Sequence, residues 1–198
     1  MAPSGVVRFD EPVPLRNGDH GYGSVTKVLH WLTFVLLVLQ LVLGYGMEAF
    51  AEALFEERAP GQSGGDRVRA GDDQLVFAHA YLGIAILALA VVRLLWRVST
   101  PLPPWSDRLG PVARRVESWV ERVLYATLFV VPLSGIALLY YSGEERELAG
   151  RREWLPPSDV VSDDLVLGLH VGGHLVLYAG FAVHVGLALS RRTVTRMT

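Results

Sequence analysis

Apolar residues in this chain are gathered into four long blocks, over 28–47, 75–92, 123–141 and 165–190, and the polar residues lie between them. A helix rising about 1.5 Å per residue needs roughly 20 residues to cross a 30 Å hydrocarbon layer, and each block is near or above that length. A buried helix of a soluble bundle would keep a polar stripe at a period of 3.6 residues. The run "HWLTFVLLVLQLVLGYGM" in the first block has almost none. The pattern therefore predicts an all-α protein, a four-helix transmembrane bundle.

Composition agrees, because 51% of the 198 residues are apolar and only 19% are charged. The net charge of −2 conceals a strong division along the chain. With four spans, both termini share a side with the connector between the second and third. That side carries 12 of the 18 Lys and Arg residues against 6 acids, and the loops 48–74 and 142–164 carry 14 acids against 6 arginines. A Lys/Arg excess beside span ends marks the cytoplasmic face, so both termini are expected to be cytoplasmic. Tyr45, Trp96, Trp105, Trp119, Tyr140, Tyr141 and Trp154 fall near span ends, where amphipathic rings settle.

The expected organisation is a cytoplasmic tail over 1–26, one bundle over 27–192 and a short cytoplasmic tail over 193–198. No cleavable signal is expected from residues 1–27, which have no short apolar core and no small-residue cleavage site. The stretch 59–73 reads as an exposed Gly- and charge-rich loop, and 99–111 as a proline-broken connector. The absence of cysteine removes disulfides, covalent c-type haem, iron–sulfur clusters and thiol catalysis. Nothing points to nucleic acid; the expected surroundings are a lipid bilayer.

The histidines are the unusual feature. Three of the six, His170, His174 and His184, lie in the fourth block, where an unsatisfied imidazole is costly. Fourteen residues turn a helix through about 1400°, roughly 40° short of four full turns, so His170 and His184 share a face about 21 Å apart. By depth, His79 matches His170 near the outer surface, and His30 matches His184 near the inner. A flat, apolar haem whose iron accepts two imidazoles suits each couple. Zinc prefers four ligands, and every acid lies outside the four blocks. Gly44, Gly83, Gly135, Gly172, Gly173, Gly180 and Gly186 leave room for a porphyrin or for close helix contact. His174 is left without a couple; binding a propionate or a quinone, replacing His170, and a plain structural role stay open. His20 is assigned nothing. Arg93 and Arg97 either pair with propionates of the inner haem or snorkel to the inner surface. Trp31 either packs on that haem or anchors the interface.

The runs "SVTKVLHWLTFVLLVLQLVLGYGM", "FAHAYLGIAILALAVVRLLWRVSTPLPP", "VLYATLFVVPLSGIALLYYSG" and "LHVGGHLVLYAGFAVHVGLALSRRTVTRM" resemble, in order, the four spans of the bacterial cytochrome b-561 family. The most specific features are the HW pair, the histidine then glycine followed by "VVRLLWR", and the 14-residue His–His interval. The resemblance implies two b-type haems with His30, His79, His170 and His184 as axial ligands, in a multi-pass protein of the bacterial inner membrane. The family is similar in turn to the cytochrome b subunits of hydrogenases and formate dehydrogenases. Some of its members oxidise superoxide at the outer surface and reduce ubiquinone, so a quinone is the expected co-substrate and an oxidoreductase the expected activity. The alternative is a haem-bearing anchor that takes electrons from a peripheral redox partner. For an anionic substrate the acidic outer loops are unfavourable, with Arg146, Arg151 and Arg152 as a candidate local basic patch.

Overall fold

The computed structural model describes residues 14–19, 21–55, 64–141 and 162–197. Four helices account for nearly all of them: α1 (Ser24–Phe55), α2 (Gly64–Ser99), α3 (Pro111–Tyr141) and α4 (Asp163–Ser190), followed by a 3-10 turn at Val194–Arg196. Among the described residues there is no strand beyond an isolated Gly18–Gly21 bridge. All four helices hold a stretch long and apolar enough to cross a bilayer: Ser24–Gly46, Gln74–Ser99, Pro111–Leu139 and Asp164–Ser190. The expected all-α bundle is present.

Two helices are longer than their apolar blocks. Helix α2 begins at Gly64, so residues 64–73, expected as loop, are helical. Once an apolar segment is fixed as helix, each further residue adds a hydrogen bond without a new nucleation cost. Helix α3 starts at Pro111, 12 residues before the third block. Proline suits a first helical position because its missing N–H would have no partner there. His20, Arg146, Arg151, Arg152 and Trp154 lie outside the described residues.

Packing joins α1 to α2 and α3 to α4, with a lighter contact between α2 and α3. The molecule is thus two helical hairpins whose α1 and α4 backbones barely approach one another. Long side chains span that seam, as in the Phe34–Phe181 stack, whose ring centres are 5.9 Å apart. Polarity is inverted relative to a soluble bundle. Thr33, Thr127 and His174 are buried, while Leu32, Val35, Leu39 and Val42 line an exposed face of α1. The buried threonines return their hydroxyls to carbonyls of their own helix, Thr33 to Leu29 at 2.7 Å and Thr127 to Leu124 at 2.9 Å.

The end that holds both termini is closed by short segments. Ser24 N–H donates to the Pro14 carbonyl at 3.0 Å, and the buried Asn17 Oδ1 accepts from Gly23 N–H at 2.9 Å and from Thr26 Oγ1 at 2.7 Å. Residues 14–17 thereby satisfy donors that the start of a helix leaves open. Two glycines permit the fold-back: Gly21 has φ +124°, and a Cβ on Gly23 would lie 2.5 Å from the Leu15 carbonyl oxygen. On the other flank, Trp31 Nε1 donates to the Met197 carbonyl at 2.8 Å and Arg196 donates to the Pro104 carbonyl at 2.7 Å. Arg196 also lies over the Tyr22 ring, 5.6 Å from its centre. Burial, with the Glu121 charge second, raises the Tyr22 phenol above its ordinary pKa, which keeps that ring neutral.

Asn17→Ala would strand two donors at this cap. It should destabilise the detergent-solubilised protein by about 1–2 kcal/mol, read as a lower thermal midpoint by circular dichroism.

Candidate functional site

The four histidines singled out by depth meet in two couples across the seam between hairpins. His30 of α1 faces His184 of α4 with ring centres 6.1 Å apart, at the end that holds the termini. His79 of α2 faces His170 of α4 with ring centres 6.2 Å apart, toward the far end. Among the described residues, no three or more metal-ligating side chains gather at one point. Each level holds one facing pair of imidazoles.

At the far level, all four helices wall a cavity of about 260 Å³, lined by Gln40, Gly44, His79, Gly83, Gly135 and His170 among others. The glycines have a local purpose. A Cβ on Gly44 would come within 2.8 Å of His79 Cε1, and one on Gly135 within 2.9 Å of His170 Cε1. A Cβ on Gly173 would press on Val131 at 2.7 Å, which makes that glycine a helix-packing position. Nothing lies within 4 Å of a Cβ placed on Gly172 or Gly186.

Each α4 histidine has an acceptor from α3 beside its Nδ1. His170 Nδ1 lies 3.0 Å from the Val131 carbonyl and 3.1 Å from Ser134 Oγ, whose own hydroxyl donates to the same carbonyl at 2.8 Å. That network assigns the proton to Nδ1 and the ring's lone pair to Nε2. His184 Nδ1 lies 2.7 Å from Glu117 Oε1, although the approach is angled too poorly to count as a hydrogen bond. Glu117 Oε2 is buried and without a partner. Every acid does lie outside the four apolar blocks, yet Glu117 is brought into the interior beside His184. Glu117 precedes the apolar block, but α3 starts early enough to carry it alongside His184.

The remaining candidates sort themselves by contact. Gln40, not foreseen, donates through Nε2 to the His79 carbonyl at 3.0 Å and lies 3.0 Å from His79 Nε2. Its Oε1 and His79 Nδ1 are both buried and unsatisfied, a debt that points to a missing polar or metal partner. His174 is buried one turn along from His170, with ring centres 4.9 Å apart, and its Nδ1 lies 3.1 Å from the Tyr45 hydroxyl on α1. That bond across the seam favours the structural role among the alternatives. Arg97 is engaged with Glu121 at 3.2 Å. Arg93 donates to the Leu29 carbonyl at 3.4 Å and lies over the Tyr125 ring, 5.6 Å from its centre. Trp31 is bonded to the Met197 carbonyl, and its ring lies edge-on to His30 with ring centres 5.5 Å apart.

Gln40 had a visible signal: it is the one amide in an otherwise apolar block. Glu117 had a weaker one, the Gly110-Pro111 start that announces a helix ahead of the hydrophobic run.

Residues 21–198 match a family model described as prokaryotic cytochrome b561. The chain is 24% identical over 136 residues, 68% of its length, to cytochrome b561 homolog 2 of Escherichia coli (strain K12). It is 25% identical over 122 residues, 62% of its length, to a Yersinia pestis protein named probable superoxide oxidase CybB. These alignments cover 63% and 60% of the relatives' own lengths.

Gly44→Leu and Gly135→Leu should each reduce haem bound per chain, measured as the pyridine haemochrome, because each fills space beside an imidazole of the far couple. Gly172→Ala, which meets nothing, should leave the ratio unchanged.

Proposed function

Because the chain belongs to the prokaryotic cytochrome b561 family of haem b membrane proteins that carry electrons, we propose that it holds two b-type haems, one at each histidine couple, and links an outer-face reactant to the quinone pool. His30 and His184 would hold one haem and His79 and His170 the other. The observation that carries this reading is the pair of ring separations, 6.1 and 6.2 Å. At that spacing the two imidazoles of each couple would hold the iron of one haem between them. The unsatisfied atoms of Gln40 and His79 and the glycine-walled cavity support the same donor set. Bound haem supplies a one-electron iron couple held within the membrane.

The chain's own contribution is orientation. Val131 and Ser134 hold the His170 ring by its Nδ1, and a carboxylate oxygen of Glu117 lies 2.7 Å from His184 Nδ1. The partner on one ring nitrogen decides which nitrogen is presented to metal. Phe34–Phe181 and Tyr45–His174 bridge the seam between hairpins. The Lys/Arg excess near the termini supports a cytoplasmic placement of that end, in the bacterial inner membrane. The far couple then lies toward the outer surface.

The most specific form of this function is superoxide oxidation coupled to quinone reduction. Two superoxide anions each give up one electron and leave as dioxygen, and one quinone takes the two electrons with two protons to become quinol. The name carried by the Yersinia pestis relative supports this choice. Purified protein should show a b-type reduced-minus-oxidised spectrum with two redox components. Replacing any of His30, His79, His170 or His184 by alanine should remove one component and leave the other. On rapid mixing with superoxide, the haem bands should reduce, and added quinone should reoxidise them. Absence of reduction by superoxide would rule out this substrate; co-purification with a large peripheral dehydrogenase that does reduce the haems would then establish the anchor role instead.

A further inference from the structure

The two α4 histidines are held by different chemistry, and that difference carries a consequence. His170 Nδ1 meets neutral acceptors, the Val131 carbonyl and the Ser134 hydroxyl. His184 Nδ1 meets a carboxylate oxygen at 2.7 Å. The Glu117 side chain is only 14% exposed, and its second oxygen has no hydrogen-bond partner to disperse the charge. One turn along α3, Glu121 is drawn off into its pair with Arg97 at 3.2 Å.

We propose that Glu117 is a positioning residue for the inner haem. Its carboxylate orients the His184 ring through Nδ1, makes that imidazole a stronger donor to iron, and so holds the inner haem at a lower potential than a neutral acceptor would. A carboxylate behind a ligating histidine fixes its tautomer and raises its basicity, and second-shell hydrogen bonding is one of the main protein levers on haem potential. This inference rests on the haem reading above and adds that the two levels are tuned by unlike second shells.

The test is a spectroelectrochemical titration of the purified holoprotein and of Glu117→Gln, which keeps an oxygen acceptor of the same size but removes the charge. One of the two components should move to higher potential and the other should stay. Glu121→Gln, on the same helix, should produce a clearly smaller shift. Unchanged midpoints in Glu117→Gln at full haem content would overturn the proposal, as would an equal shift from Glu121→Gln, which would reduce the effect to a general field. Should Glu117→Gln lose one component, Glu117→Asp decides: recovery of that component at low potential supports the role of the charge, and its loss there too refutes it. Failure of the underlying reading looks different, since His184→Ala would then leave both components of the wild-type titration intact.

Discussion

An imidazole placed in hydrocarbon has two nitrogens to satisfy, and in this bundle the rest of the arrangement follows from how that is done. For His170 and His184 the Nδ1 partner comes from α3, a helix that contains no histidine. Fixing Nδ1 leaves Nε2 as the nitrogen directed at whatever lies between couples. Helix α3 must therefore lie close along α4, and the tight pairing of those two helices, with Gly173 against Val131 and Gly180 against Leu124, is the packing that allows it. A substitution on α3 can disturb a site to which α3 contributes no ligand.

The second consequence is the seam. If α1 and α4 packed as closely as α3 and α4, the opposed imidazoles would have no room for iron and a macrocycle. Instead the backbones stay apart and bulky side chains meet across the gap. The chain achieves this with unequal interfaces. Small residues bring α4 onto α3, while histidine, phenylalanine and tyrosine keep α1 at a distance from α4. Lipid offers no hydrophobic drive between helices, so shape and the few polar contacts decide these separations.

Much of this was legible in the sequence. Block length gave the spans, and the 14-residue interval between His170 and His184 gave one face and two depths, from which the couples could be named. Depth is readable because helix rise is constant. Azimuth on the other helices is harder: nothing in the spacing of Gln40 or Glu117 told which neighbour each would face. Glu117 was also hidden by a boundary error. Hydrophobicity reports where lipid begins, whereas hydrogen bonding sets where a helix begins, and α3 runs three turns past the former. His174 meets Tyr45, 129 positions away, a contact that no local pattern could disclose.

A buried carboxylate within a membrane helix would ordinarily be a heavy liability. Glu117 is placed where that cost is least. It lies in the first two turns of α3, at the end of the bundle where, among the described residues, Lys and Arg outnumber acids 11 to 4. Arg93 reaches into the same region from α2, held by the Leu29 carbonyl and the Tyr125 ring without an acid of its own among those contacts. A positive excess of this kind supplies the potential in which a carboxylate can be kept beside His184. At the far level, flanked by acidic loops, another carboxylate would meet repulsion rather than compensation. Neutral acceptors behind His170 are what that end of the molecule can sustain.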